Sequence, residues 1–208
     1  MDGNAIRRAW VVAAVVVAAG AAATRASASG FLLNEQNASG TGNAYAGQAA
    51  AAEDASTVFA NPAGMTRLPR LQVAASVNLI RLTADFEDRG STPASLQPTL
   101  GGTGGDPGAL EAVPNAYLTF ETIPGTIWTG VGVFAPFGLS TKWDRGWMGR
   151  FHAVDSEVRT LNVNPSVAWK VVPWLSLGAG VNWQWIDAEL TNAVNYSAAA
   201  FAVGGPAA

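Results

Sequence analysis

From Leu71 onward the chain alternates between apolar and polar positions. Leu71, Val73, Ala75, Val77 and Leu79 fall on one face of an extended segment, and Gln72, Ala74, Ser76 and Asn78 on the other. A period of two predicts a strand with unlike faces. A second strand is predicted over residues 114–121, with Ala116, Leu118 and Phe120 opposite Asn115, Tyr117 and Thr119. The third, over residues 127–141, puts Gly130 and Gly132 on its inward side and is broken by Ala135-Pro136-Phe137-Gly138. Proline removes a ladder donor and glycine permits a bend, so a kink or a pairing gap is expected at Pro136, Phe137 and Gly138. In the fourth, Leu161, Val163, Val167 and Trp169 oppose Asn162, Asn164, Ser166 and Lys170. Pro173 marks a tight turn into the fifth, over residues 175–185, which carries the cleanest alternation: Leu175, Leu177, Ala179, Val181, Trp183 and Trp185 against Ser176, Gly178, Gly180, Asn182 and Gln184.

These strands run about 9 to 15 residues, where five or six is usual in soluble proteins and about 9–11 tilted residues cross a bilayer. Short links (121–126, 171–174) alternate with a long Gly/Pro/Ser/Thr-rich one (90–108), the asymmetry of an outer-membrane barrel with short periplasmic turns and long external loops. The expected fold class is therefore all-β, a transmembrane antiparallel β-barrel. Five strands fall short of the roughly eight at which membrane barrels begin, and the chain runs out in an Ala/Gly/Pro tail over residues 197–208. The strands of residues 68–208 are thus expected to be the first part of a longer barrel.

Two unlike stretches precede the strands. Residues 1–28 are predicted to be a signal peptide: Arg7 and Arg8 open it, an apolar run follows from Ala9, and Ala26-Ser27-Ala28 supplies a small-x-small cleavage pattern. Export through such a leader agrees with a Gram-negative outer-membrane location. Residues 29–67 are small, polar and Gly/Ala-rich, with room for two short helices; Asp54 or Ser56 is a candidate cap, and Pro62 forces a stop near Asn61. This stretch is too poor in large apolar residues to build a core of its own. It needs walls supplied by something else, and as a mainly helical or irregular piece it could be a linker, a cap or a plug.

Composition narrows the chemistry. Charged residues are 13% of the chain against roughly 25% in soluble domains, while hydrophobic residues reach 49%. Beyond the leader no apolar run is long enough for a membrane helix of about 20 residues. A net charge of -3 without a basic stripe points away from nucleic acid. The chain has no Cys, which excludes disulfides, thiolate catalysis and Cys-zinc sites. Gly101-Gly-Thr-Gly-Gly105 lacks a following Lys-Ser/Thr and reads as a flexible loop instead of a phosphate cradle. No metal site and no cofactor are expected.

Ser29-Gly-Phe-Leu-Leu-Asn-Glu-Gln36, Ala38-Ser-Gly-Thr-Gly-Asn-Ala-Tyr-Ala-Gly47 and Glu53-Asp-Ala-Ser-Thr-Val-Phe-Ala-Asn-Pro-Ala-Gly-Met65 are followed by Ala135-Pro-Phe-Gly-Leu-Ser-Thr141, Gly149-Arg-Phe151, Asn164-Pro-Ser-Val-Ala168 and Leu177-Gly-Ala-Gly180. This ordered set resembles the FadL/TodX family of outer-membrane transporters for long-chain fatty acids and other hydrophobic compounds. The resemblance implies a 14-stranded barrel, monomeric and set in outer-membrane lipid. Its N-terminal stretch, here residues 29–67, is folded inward as a hatch that carries the Asn61-Pro62-Ala63 motif. It also implies that fatty acids or hydrocarbons are taken up passively and leave sideways into the membrane. Their exit is an opening at a kinked third strand, which falls here at Pro136, Phe137 and Gly138.

On this reading Asn61, Pro62, Ala63 and Gly64 either gate the hatch or simply fold it. Gly40, Gly42 and Gly47 are expected to let the hatch backbone approach the wall, with Ser39, Asn43 and Asp54 bonding to the inner face. Phe31, Leu32 and Leu33 either line the ligand site or pack. Arg159, assigned to the inward face, either attracts a carboxylate or joins an internal charge pair. Trp143 and Trp147 belong to an interface or loop segment rich in aromatic anchors, and with Trp183 and Trp185 they read as interfacial belt residues more than ligand contacts. Two rival functions stand beside transport. A diffusion porin would need an open lumen. A lipid hydrolase would need His152, Asp155 and Ser156 to converge, yet Asp155 points away from the other two on a strand and no Gly-x-Ser-x-Gly turn is present. The expected class is not an enzyme.

Overall fold

The computed structural model describes residues 32–204. The predicted leader, Phe31 and the last residues of the tail lie outside the described residues. The alternating segments form one antiparallel sheet of seven strands: β1 (Leu71–Arg81), β2 (Leu110–Ile123), β3 (Ile127–Phe134), β4 (Leu139–Lys142), β5 (Asp155–Val172), β6 (Leu175–Gly180) and β7 (Trp183–Thr191). β1 pairs with β2, β2 with β3, and β3 and β4 lie end to end along one side of β5. β6 and β7 lie end to end along its other side. The third and fifth strands of the sequence reading are thus each split in two. No helix among the described residues is long and apolar enough to cross a membrane.

The two faces of the sheet are the reverse of those in a soluble protein. Asn115, Tyr117 and Thr119 on β2, and Thr160, Asn162, Asn164 and Ser166 on β5, are buried on the inner face. Leu71, Val73, Val77 and Leu79 on β1, Leu118 and Phe120 on β2, and Leu161, Val167 and Trp169 on β5 stand exposed on the outer one. Such a wall avoids water only if its outer side meets lipid.

Residues 32–70 lie against the inner face. Their regular pieces are short: a 3-10 turn (Ser39–Asn43), α1 (Gln48–Ala51), α2 (Thr57–Ala60) and a second 3-10 helix (Pro62–Arg67). Helices of four residues are far below the length at which a helix holds in water by itself, about 12–15 residues. What fixes them is a mixed core in which Ala55, Val58 and Met65 meet Tyr117, Trp128, Phe134 and Ala168 of the wall. Burying a Val or Met side chain fully contributes about 1.5–3 kcal/mol, and Phe59 adds an edge-to-face contact with Phe134 at 5.0 Å between ring centroids.

The tail departs from expectation. Residues Tyr196–Gly204 form a helix, α3, on a run of Ala with Asn195 before it. The Asn195 side-chain oxygen accepts from the Ala198 N–H at 3.2 Å, the usual cap for such a start.

Candidate functional site

The wall is interrupted where Pro136 predicts it. β3 pairs with β5 up to Phe134↔Asn162, and β4 resumes at Leu139↔Val158. Four residues (135–138) therefore lie opposite three (159–161), a bulge of one residue in an otherwise regular ladder. The released backbone groups find partners outside the ladder. Thr160 bridges to Phe137: its hydroxyl accepts from the Phe137 N–H at 3.2 Å and donates to the Phe137 carbonyl. The remaining carbonyls turn to the N-terminal segment. Leu33 donates its N–H to the Pro136 carbonyl at 3.0 Å, and Gln36 donates from Nε2 to the Ala135 carbonyl at 2.8 Å. Leu32 forms an isolated bridge with Phe137. Residues 32–36 thus fill the gap that the kink leaves.

Polar groups of the inner face hold that segment in position. The Tyr117 hydroxyl donates to the Gln36 carbonyl at 2.8 Å, and Asn78 Nδ2 to the Glu35 carbonyl at 2.6 Å. Gln36 is fully buried. Where a backbone carbonyl has no water to turn to, each such bond prevents a cost of several kcal/mol.

The Asn61-Pro62-Ala63-Gly64 stretch is a local device. Asn61 caps the Pro62–Arg67 turn by accepting from the Ala63 N–H at 3.2 Å, and donates from Nδ2 to the Ala49 carbonyl at 2.8 Å. It thereby ties α1 to the turn. Close approach to the wall comes from wall glycines and not, as expected, from Gly40, Gly42 and Gly47. A Cβ on Gly178 would overlap the backbone of Pro62 and Ala63, and one on Gly130 would lie 2.6 Å from Met65 Sδ. By contrast, a Cβ on Gly42 or Gly47 would meet nothing within 4 Å, and on Gly40 only Tyr45 and Asn37 of the same segment. Ser39 and Asp54 likewise bond each other (2.7 Å) instead of the wall, and Asn43 bonds the Ala46 carbonyl. Besides Gln36, Thr66 reaches the wall, 2.8 Å from the Ser176 hydroxyl. Burial tends to raise the Asp54 carboxyl, but hydrogen bonds from Ser56 and Ser39 outweigh it and hold the group below its ordinary value.

Between the segment and the wall lies a cavity of about 300 Å³. Val58, Phe59, Pro62, Phe134 and Pro136 form its apolar side, and Asn162, Asn164, Asn182 and Gln184 its polar side. It touches the kink at Pro136 and a second interruption, Val181–Asn182, between β6 and β7. There the register is unchanged: Gly180↔Ser166 and Trp183↔Val163 belong to one continuous alignment. The cause is Pro165 on β5. It accepts from the Val181 N–H at 3.0 Å but has no N–H to return. Asn164 Nδ2 reaches the Val181 carbonyl in its place at 3.4 Å.

Other expected residues fall elsewhere. Arg159 has the same parity as Leu161 and Val167, so it stands on the outer face, exposed and paired with Glu157, and not in the lumen. Trp183 and Trp185 stack on the outer face at 5.6 Å. Trp143 and Trp147 do not form a belt. They stack at 4.1 Å inside the loop region, with Phe86 edge-on to both, and Gly104, at φ 91°, brings the glycine loop directly against them. That loop is docked: the Asp144 N–H reaches the Gly104 carbonyl at 3.1 Å and the Met148 N–H the Gly102 carbonyl at 2.9 Å. Among the described residues no hydrogen bond links His152, Asp155 and Ser156; Asp155 faces Lys142 at 3.8 Å. Gln36, Tyr117, Thr160 and Asn182 escaped the sequence reading as site residues. Inward parity on the strand beside the predicted kink would have singled out Tyr117.

With this geometry in hand, known proteins supply the comparison. The profile of the family described as "Outer membrane protein transport protein (OMPP1/FadL/TodX)" matches residues 19–207. Outer membrane protein P1 of Haemophilus influenzae is 30% identical over 177 residues, covering 81% of this chain and 39% of that protein. The long-chain fatty acid transport protein of Escherichia coli K12 is 30% identical over 169 residues, covering 81% of this chain and 36% of that protein. Among solved structures, the crystal structure of a Pseudomonas aeruginosa FadL homologue superposes with a TM-score of 0.66 at 28% identity, over 83% of this chain and 41% of that one. The chain spans about two fifths of the length of these relatives.

Proposed function

The chain belongs to the OMPP1/FadL/TodX family of outer-membrane proteins, and from that premise we propose that it forms the hatch and first wall of a monomeric barrel for passive uptake of hydrophobic compounds, long-chain fatty acids or hydrocarbons. Ligand enters the lumen from outside, meets the hatch of residues 29–67, and leaves sideways into outer-membrane lipid at Pro136–Phe137–Gly138. The observation that carries this reading is the bulge between β3 and β4, whose carbonyls are bonded to Leu33 and Gln36 of the N-terminal segment. A gap in a lipid-facing ladder must be satisfied by something. Here the filler is a segment held by a few hydrogen bonds and a bridge at Leu32. Beside it lies a cavity, apolar on one side and polar on the other, that reaches the gap at Pro136. Such transport needs no nucleophile and no cofactor. Leu32 and Leu33 act as the shutter of the gap, and Asn61, Pro62, Ala63 and Gly64 as the joint that seats the hatch on the wall.

Deleting Pro136 is the direct test. It removes the extra residue and the missing donor together, so Phe134 to Leu139 then match Asn162 to Val158 one for one. Uptake of radiolabelled oleate or dodecane by producing cells should fall about tenfold or more, the effect of a barrier about 1.4 kcal/mol higher, while the barrel still folds. Normal uptake in that variant means that the exit lies elsewhere.

A further inference from the structure

The polar side of the cavity carries an unusual constellation. Asn162, 1% exposed, donates from Nδ2 to Asn182 Oδ1 at 2.9 Å. Asn164 donates to the same oxygen at 2.7 Å and accepts from the Ser166 hydroxyl at 2.6 Å. Asn182 Oδ1 is therefore saturated by two donors. What remains, among the described residues, is the Asn162 Oδ1 acceptor, buried and without a partner, beside the Asn182 amide, whose Nδ2 donates no hydrogen bond there. Buried polar atoms are nearly always paired, and a lone one calls for a ligand or ordered water. No charged side chain lines the cavity among the described residues. Arg159, the cation nearest along β5, stands on the outer face with Glu157.

We propose that this asparagine cluster is a binding site for the polar end of uncharged amphiphiles, primary alcohols above all. A hydroxyl donates to Asn162 Oδ1 and accepts from Asn182 Nδ2, while its alkyl chain lies against Val58, Phe59 and Phe134. A carboxylate has no proton to give: it would set negative oxygen against the Asn162 acceptor, with no cation to offset its burial. An alkane fills the apolar side but leaves Asn162 unpaired. The volume of about 300 Å³ lies at the small end of ligand sites and suits a chain of medium length. The proposal rests on the transporter reading, because it takes the cavity to be part of the ligand's route. It adds selection by head group.

Competition for radiolabelled 1-decanol tests it, with the protein from outer membranes in lipid nanodiscs at pH 8 and protein-free nanodiscs as background. Saturable 1-decanol binding is expected, displaced by unlabelled 1-decanol at about tenfold lower concentration than by decane or decanoate, the ratio that one hydrogen-bonded group of about 1.4 kcal/mol provides. Asn162→Leu should erase the advantage of decanol over decane. Asn182→Leu, in a more exposed position, removes the donor with less risk to folding and should weaken decanol in the same sense. Decanoate or decane competing as well as decanol in the wild type overturns the proposal, as does an undiminished preference in a folded Asn182→Leu protein. Oleate and dodecane uptake by cells separates the two ideas. If uptake persists without saturable decanol binding, only the head-group site falls. If decanol binds but nothing is taken up, the transporter reading falls and the site stands.

Discussion

Both interruptions of the wall flank the same strand, β5, yet they are built and mended differently. Between β3 and β4 the proline lies in the broken strand and an extra residue accompanies it, so the ladder slips by one. Between β6 and β7 the proline lies on the neighbour, nothing is inserted, and the register passes through unchanged. The first gap is filled by a distant segment through Leu33 and Gln36. The second is patched from within the wall by the adjacent Asn164. A missing donor alone is a local defect that one side chain offsets. A missing donor together with a surplus residue opens a space that only another piece of chain can occupy.

The largest effect in breaking this contrast is expected from Gly178→Val. It places branched carbon where the Pro62–Ala63 backbone rests, an overpacking that costs about 3 kcal/mol, and should unseat the hatch. Single-channel recordings should then show polar-solute conductance absent from the wild type. Unchanged conductance would mean that the hatch does not depend on that contact.

Gln36→Leu comes next. It leaves the Ala135 carbonyl unpaired, worth about 1–3 kcal/mol, and should speed hydrogen exchange at the Leu33 and Phe137 amides while leaving Val181 protected. Asn164→Leu is the counterpart at the second break; its bond to the Val181 carbonyl is long and worth about 1 kcal/mol, beside the bonds to Asn182 and Ser166 that are lost with it. Adding Pro165→Val should restore protection at the second break in Asn164→Leu, because the new N–H replaces the amide at the Val181 carbonyl. Exchange at Leu33 that fails to respond to Gln36→Leu, or a Pro165→Val that rescues nothing, would remove the distinction between the two breaks.

Acid should separate them most gently. The Asp54 carboxyl is held below 3.8 in the folded segment. Its hydrogen bonds therefore stabilise the hatch fully at neutral pH, and this contribution is lost as pH falls below about 3.8 through the lowered folded value. Titration from pH 5 to pH 2 should raise protease sensitivity near Ser39 and Asp54, and Asp54→Asn should flatten that response. The Asn164 patch carries no titrating group and should not follow.

Much of this was legible in the chain before folding. Alternation identified five strands and their faces, and Ala135-Pro136-Phe137-Gly138 announced the first break. The second was not visible because alternation runs through Val181 and Asn182 without a fault: its cause sits at Pro165, across the ladder, and periodicity along one strand carries no information about a neighbour's missing N–H. Arg159 was assigned to the wrong face, although counting from Leu161 would have corrected it. For Trp143 and Trp147 the choice between interface and loop stays open in the sequence, because composition cannot tell an aromatic at a lipid interface from one in the core of a loop. The docking of Gln36 depends on residues about a hundred positions away, which no local pattern encodes. Asn61 stands out in the sequence through the Pro62 that follows it, but its partner, the Ala49 carbonyl, is a property of the turn once formed.

The wall glycines bear on the order in which the molecule can assemble. The segment of residues 32–70 precedes every wall strand in the chain, yet Gly130, Pro136 and Gly178, against which it is moulded, lie far behind it in sequence. With helices of four residues and contacts that span most of the chain, it has no conformation of its own to wait in. The stretch that comes before every wall strand is the last to take shape, and the finished wall is its template.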